Sequence, residues 1–261
     1  MTTGCQAAVL TNLRGAVFPL LAARQPTPPG MDTNLNSEEL QVFPLFTGLE
    51  VTLLERLLHQ HRNLTVPAAH QLVFEGDWGD GLFLIRSGVA KVRHITLGGE
   101  EVVVCLLGVG EMVGELAMLL GNGLRSADVV TLTPMEVVKL RWSSLQQEVE
   151  RWPRFTLNLA QLEARRLVAL GHRFRLRGED ATTRVLATLA ELARCTIYEA
   201  DPLSPIPDIT QTEIATIAGL ARGTTSKVLS QLRAKSVLVD GPEGLQIVAL
   251  EPLRKRGLIE G

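Results

Sequence analysis

The sequence is poor in cysteine, in net charge and in long apolar runs, and each shortage removes a class of protein. Three cysteines, Cys5, Cys105 and Cys195, are scattered and odd in number, which argues against a disulfide framework and suits a reducing cytoplasm. They form no zinc spacing, and the only close histidines, His59 and His61, lie two apart and so do not share a helix face. Basic and acidic residues nearly cancel, 26 against 28; any basic surface must be local. No run approaches the ~18 apolar residues of a membrane span. No nucleophile, base and orienting group can be assembled from spacing, so a binding protein is expected rather than an enzyme.

Acidic residues are missing altogether from Met1 to Gly30, where Arg14 and Arg24 flank GAVFPLLAA and the stretch ends in RQPTPPG. A secretory signal would place its charge before a longer apolar core and follow it with a cleavage site. Residues 1–36 are therefore expected to be a disordered tail, with Met31 an alternative start of translation.

What remains is ordinary for a globular protein, 46% hydrophobic and 21% charged over 261 residues, and long enough for two domains. EVTLLERLLHQ reads as a short amphipathic helix with Leu53, Leu54, Leu57 and Leu58 on one face. From Leu64 to about Leu140 the chain changes to short β-rich pieces separated by glycine-bearing turns, the pattern of an antiparallel sandwich or barrel. An effector domain is expected over 37–143.

A long helix follows, from about Trp142 to Arg177, with a break expected near Pro153. Leu157, Ala160, Ala164, Leu167, Gly171 and Phe174 keep the spacing of a coiled-coil seam, while Leu159, Leu162 and Leu170 form a second stripe. One stripe is expected to meet the β domain and the seam a twin subunit, so 144–177 reads as a dimerisation helix ending in the charged hinge HRFRLRGED.

The last segment, 178–261, carries the most specific local signal. Thr210 and Glu213 have capping-box spacing, Gly219 allows a tight turn, and a second helix is expected from about Ala221 to Ala234. VLVDGPEGLQIVAL then reads as a two-stranded wing. This is a winged helix-turn-helix. Thr210, Gln211 and the first turns of the second helix, with Arg222, Gly223, Thr224, Thr225, Ser226 and Lys227 exposed, make the expected DNA-facing surface. Between Gln211 and Arg256 seven basic residues face four acidic ones, a local excess where the whole chain is acidic.

A β domain carrying GELAMLLGNGLRSA (114–127), a dimer helix and a winged helix-turn-helix, in that order, resemble the Crp/Fnr family of bacterial transcription regulators over roughly residues 37 to 255. The resemblance implies an α+β fold: an N-terminal cyclic-nucleotide-binding-type β-roll (double-stranded β-helix, or jelly roll), a long dimerisation helix and a C-terminal winged helix-turn-helix. It implies that 114–127 is a phosphate-binding cassette, with Gly114, Leu116 and Ala127 among its residues. Arg125 would pair with a cyclic phosphate, Ser126 would add a hydrogen bond, and Glu115 would accept from the ribose 2′-hydroxyl. A guanidinium fork suits a phosphodiester independently of the family. The bland alternative is a Glu115–Arg125 ion pair with no ligand.

The implied partners are a palindromic DNA duplex, a second copy of the chain and RNA polymerase. No metal, haem or iron–sulfur cluster is expected: only Cys5 stands where the oxygen-sensing branch needs a cluster, and His94 is a lone haem candidate. Two departures qualify the resemblance. Leu170 and Gly171 stand where the family presents a Thr-Ser pair to the base, with Arg166 one turn earlier as a further contact. The effector is therefore expected to be cyclic AMP held mainly by its ribose phosphate, cyclic GMP, or nothing in an inherited pocket. Gly223 stands where the family has Glu, so an altered operator sequence is expected. Two rival functions stay open: a regulator answering another metabolite, and a cyclic-nucleotide-binding subunit acting on a partner protein.

Overall fold

The computed structural model describes residues 35–59, 61–196, 203–242 and 244–259. Most of the expected tail, 1–34, lies outside them. Leu35 and Asn36 do not belong to a tail: Leu35 is buried, and the Asn36 side chain accepts from the Glu39 backbone N–H at 2.8 Å, capping the first helix.

Helices α1 (Ser37–Gln41) and α2 (Val51–Leu58) lead into eight strands. These are β1 (Arg62–Val66), β2 (Gln71–Val73), β3 (Gly81–Ser87), β4 (Ala90–Ile95), β5 (Glu101–Leu107), β6 (Met112–Val113), β7 (Asp128–Thr131) and β8 (Met135–Arg141), with the short α3 (Glu115–Leu119) before β7. They form two antiparallel sheets, ordered β1-β8-β3-β6 and β2-β7-β4-β5. The first sheet explains why GLFLI and MEVVKL read as nearly continuous apolar runs: both of its faces are covered. Phe83, Ile85, Met135 and Val137 meet Ala90, Leu107 and Val129 of the second sheet. Their neighbours Leu82, Leu84, Val138 and Leu140 alternate to the other side, against Leu40, Leu53, Leu54 and Leu57. Each such fully buried side chain contributes roughly 1.5–3 kcal/mol.

The long helix is interrupted. α4 (Trp142–Arg151) and α5 (Pro153–Leu176) are separated by Trp152, which is extended, φ −118° and ψ 92°. A residue before proline is pushed out of the helical region, and proline suits the first position of the next helix. On α5, Phe155, Asn158 and Leu159 are buried against the β-roll, and Asn158 donates to the carbonyls of Leu45 and Thr47. The second stripe does not continue to Leu170, which is 44% exposed. The inner face passes instead through Leu162, Arg166 and Arg173. All six seam residues are exposed, Leu167 at 70% and Phe174 at 73%.

The C-terminal part contains α6 (Ala181–Cys195), α7 (Gln211–Ala218), α8 (Arg222–Ala234), β9 (Leu238–Gly241), β10 (Gly244–Ile247) and α9 (Glu251–Arg254). Its core is not closed on itself. Val103 and Leu106 of β5, with Val89 and Leu132 just outside β4 and β7, join Val185, Leu189, Ile214, Ile217, Val228 and Leu232 in one apolar cluster. At the edge of that contact Lys91 of β4, 2% exposed, reaches Glu101 at 2.7 Å and Glu213 of α7 at 2.6 Å. The capping box is thus only half formed. Thr210 accepts from the Glu213 N–H at 3.1 Å, but the Glu213 carboxylate pairs with Lys91 rather than turning back to the cap, because a buried ammonium offers far more than one solvated N–H.

Candidate functional site

Residues 114–127 fold around Arg125. β6 is followed by Gly114, which takes a left-handed conformation (φ 98°) and caps the start of α3. The Arg125 guanidinium lies against it. A Cβ on Gly114 would stand 2.0 Å from Arg125 Nη1, and one on Gly79 would stand 2.5 Å from its Nε and Cζ. Both positions therefore admit only glycine while the arginine is in place. The 74–81 loop fixes the backbone of the segment: Arg125 N–H donates to Asp77 C=O at 2.9 Å, and Gly76 N–H donates to Arg125 C=O at 2.9 Å.

The Arg125 side chain is 7% exposed. Its Nη1 donates to Gly114 C=O at 2.9 Å and its Nη2 to Gly81 C=O at 2.7 Å. Among the described residues no carboxylate forms an ion pair with it. Burial pulls this guanidinium below its usual value, against the smaller opposing influence of Asp80 and Glu115. Such a group is short of one negative charge.

Glu115, 4% exposed, does not pair with Arg125. The bland alternative is overturned by α5: Arg166 Nη1 donates to Glu115 Oε1 at 2.5 Å, its Nη2 donates to Met112 C=O, and Glu163 approaches at 3.3 Å. Burial opposes the charge of Arg166, but Glu115 and Glu163 outweigh it and hold the guanidinium above its usual value. The second Glu115 oxygen, Oε2, is buried and accepts no hydrogen bond from any described residue. A short cationic half-site and an unsatisfied acceptor thus lie side by side.

Both open on a cavity of ≈450 Å³, lined also by Leu116, Ser126 and Ala127 and, from α5, by Glu163, Arg166, Leu167 and Leu170. Ser126 is exposed. Val92, Cys105 and Leu106 add apolar lining, and Glu111 lines the cavity too, its carboxyl pushed up by burial while it accepts from Gly108 N–H at 2.7 Å. His94 lines the wall and contacts Glu75 at 3.0 Å. The volume is within the range of small-molecule sites.

The second candidate surface is α8. Arg222, Gly223, Thr224 and Lys227 are exposed and Ser226 is half-buried. Thr225, expected among them, is instead buried, 0% exposed. It shares the inner face with Val228, Leu229 and Leu232, a 3,4,7 spacing that the sequence already displays. Thr210 and Gln211 are exposed at the start of α7, and β9 pairs with β10 in antiparallel register from Leu238↔Ile247 to Gly241↔Gly244, forming the wing.

Residues 64–151 match the cyclic nucleotide-binding domain family and residues 183–259 the Crp-like helix-turn-helix domain family. The chain is 33% identical to the cyclic AMP receptor protein of Thermus thermophilus over 205 residues, covering 78% of this chain and 92% of that one. It is 30% identical to the CRP-like cAMP-activated global transcriptional regulator of Mycobacterium tuberculosis over 211 residues, covering 77% and 94%. The fold is shared with the c-di-GMP-responsive global regulator CLP of Xanthomonas campestris, at a TM-score of 0.60 and 23% identity over 77% of this chain and all of that one. A Crp/Fnr-family regulator from Eubacterium rectale matches at a TM-score of 0.61 and 15% identity, over 82% of this chain and 98% of that one. An effector-type β-roll with an uncompensated buried arginine, joined to a winged helix-turn-helix, makes this chain a member of the Crp/Fnr family of DNA-binding transcription regulators.

Proposed function

We propose that the chain is a cytoplasmic, homodimeric transcription regulator that binds a 3′,5′-cyclic nucleotide, cyclic AMP or cyclic GMP, in the ≈450 Å³ cavity. One observation carries the reading: Arg125 is buried, held by two carbonyls and the Phe83 ring with no carboxylate among the described residues, and lies beside a buried Glu115 oxygen that accepts from no described residue. A cyclic phosphodiester supplies the missing single charge, and its ribose 2′-hydroxyl supplies the missing donor. The base then faces Leu167 and Leu170, which offer contact but no hydrogen bond.

The exposed seam on α5 supports the dimer, since six positions at coiled-coil spacing stand free of the chain's own core. Paired seams bring two α8 helices to half-sites about one helical turn apart, and RNA polymerase is the partner through which a bound regulator acts. Arg166 joins the effector pocket to the seam, because it holds Glu115 while belonging to α5. Effector and DNA then strengthen each other's binding reciprocally. The protein acts by binding and not by catalysis, as the names of its relatives suggest.

Calorimetric titration of the full chain with cyclic AMP and cyclic GMP tests this, with Arg125→Ala beside it. Saturable heat from either nucleotide that vanishes in the variant is expected. A folded wild-type protein that gives no heat with both would refute the effector assignment and leave the DNA-binding surface untouched.

A further inference from the structure

Gly223 is the second residue of α8, and nothing inside the protein asks for a glycine there. It is not among the residues with positive φ, and a Cβ built on it would meet no atom within 4 Å. Glycine weakens a helix relative to alanine, so the residue costs stability without relieving strain or a clash. Its surroundings are the opposite of bare. Arg222, Thr224 and Lys227 are exposed polar neighbours, Ser226 adds a half-buried hydroxyl, and Thr225 and Val228 turn inward. Arg222 and Lys227 enter no ion pair among the described residues, so both are free to meet DNA.

In the major groove each base pair shows a distinct set of donors and acceptors, and only a side chain that reaches it can tell them apart. We propose that Gly223 determines specificity by omission: the base pair opposite it is not read. Each operator half-site then carries one position tolerant of all four base pairs, inside the run that the other α8 side chains discriminate. The rival physical account is steric, in which the bare Cα lets the helix backbone approach the duplex so closely that any side chain clashes.

Full-length wild type, Gly223→Gln and Gly223→Glu, each with its melting temperature checked, are used to select duplexes from a random library, with and without cyclic AMP. Arg222→Ala and Lys227→Ala mark the positions that those two side chains read. The wild type should leave a position between the two marks where the four base pairs differ by less than about threefold. Gly223→Gln should create there a roughly tenfold preference for A·T, whose adenine matches an amide, and Gly223→Glu a similar preference for the pair presenting cytosine N4. A wild-type preference of tenfold or more at every position between the marks overturns the proposal. So does an unchanged profile in both variants, and so does a uniform loss of binding in both, which is the steric outcome. No enrichment by wild type in either condition removes α8 as the reading surface and the proposal with it.

Discussion

Lys91 and Arg125 are both cations withdrawn from water within one β-roll, 2% and 7% exposed, yet their surroundings differ in kind. Lys91 touches two carboxylates, one from its own sheet and one from α7, so its charge is met from inside the protein. Arg125 touches two carbonyls and, among the described residues, no carboxylate, so its hydrogen bonds are partly met and its charge is not. Burial of a charge is therefore not a sign of function by itself. What separates a joint from a binding site is whether the counter-charge is already present.

The largest expected effect falls on the unmet charge. Arg125→Ala should weaken cyclic-nucleotide binding at least 100-fold, about 2.7 kcal/mol or more, because it removes a charge-assisted fork on the phosphate. Its urea midpoint in the absence of nucleotide should move little, since a buried guanidinium without a counter-ion adds little stability. A fall of several kcal/mol in the unliganded protein would erase the distinction between the two cations.

Lys91→Met should do the reverse. Equilibrium unfolding in urea should show a loss of about 2–3 kcal/mol, below the 3–5 of a fully buried pair because the Glu213 side chain is 36% exposed. Nucleotide affinity measured under folding conditions should stay within about threefold. A selective loss of nucleotide binding in Lys91→Met would show that the joint also belongs to the site.

Glu115→Gln sharpens the comparison inside the pocket. It keeps an acceptor oxygen but loses the ion pair with Arg166, so cyclic-nucleotide affinity should fall by roughly tenfold, about 1.4 kcal/mol. The smallest effect is reserved for the exposed cations of α8. Lys227→Ala should lower affinity for operator DNA by roughly fivefold, about 1 kcal/mol, and flatten the preference at the base pair it reads, measured by fluorescence anisotropy on singly substituted duplexes. A loss that is equal on every duplex would assign Lys227 to the phosphates instead of to base edges.

The two cations also differ in how far sequence alone reveals them. Arg125 and Glu115 lie ten residues apart in a glycine-rich stretch of recognisable spacing, and local spacing is what a sequence displays. Arg166 could be approached by counting one helical turn back from Leu170, although its partner Glu115 is 51 residues away. Lys91 could not be reached. Its partner Glu213 is 122 residues distant, and Glu213 already had a local explanation in the capping box. The β-roll strands, the helix break at Trp152 and the helix-turn-helix followed from periodicity, proline and caps, which act within a few residues. Thr225 differs from its expected exposure for another reason: its chemistry matches its polar neighbours, while its spacing to Val228, Leu229 and Leu232 turns it inward.

The apolar cluster that runs from Val89, Val103, Leu106 and Leu132 into α6, α7 and α8 bears on how such regulators can be re-engineered. A reader module cut away at the hinge would leave part of its own interior behind on the sensor, and the sensor would expose a greasy sheet face. Chimeras that splice a foreign DNA-binding unit onto this sensor must therefore carry over the matching sheet residues, and graft boundaries drawn only along the chain will yield insoluble proteins.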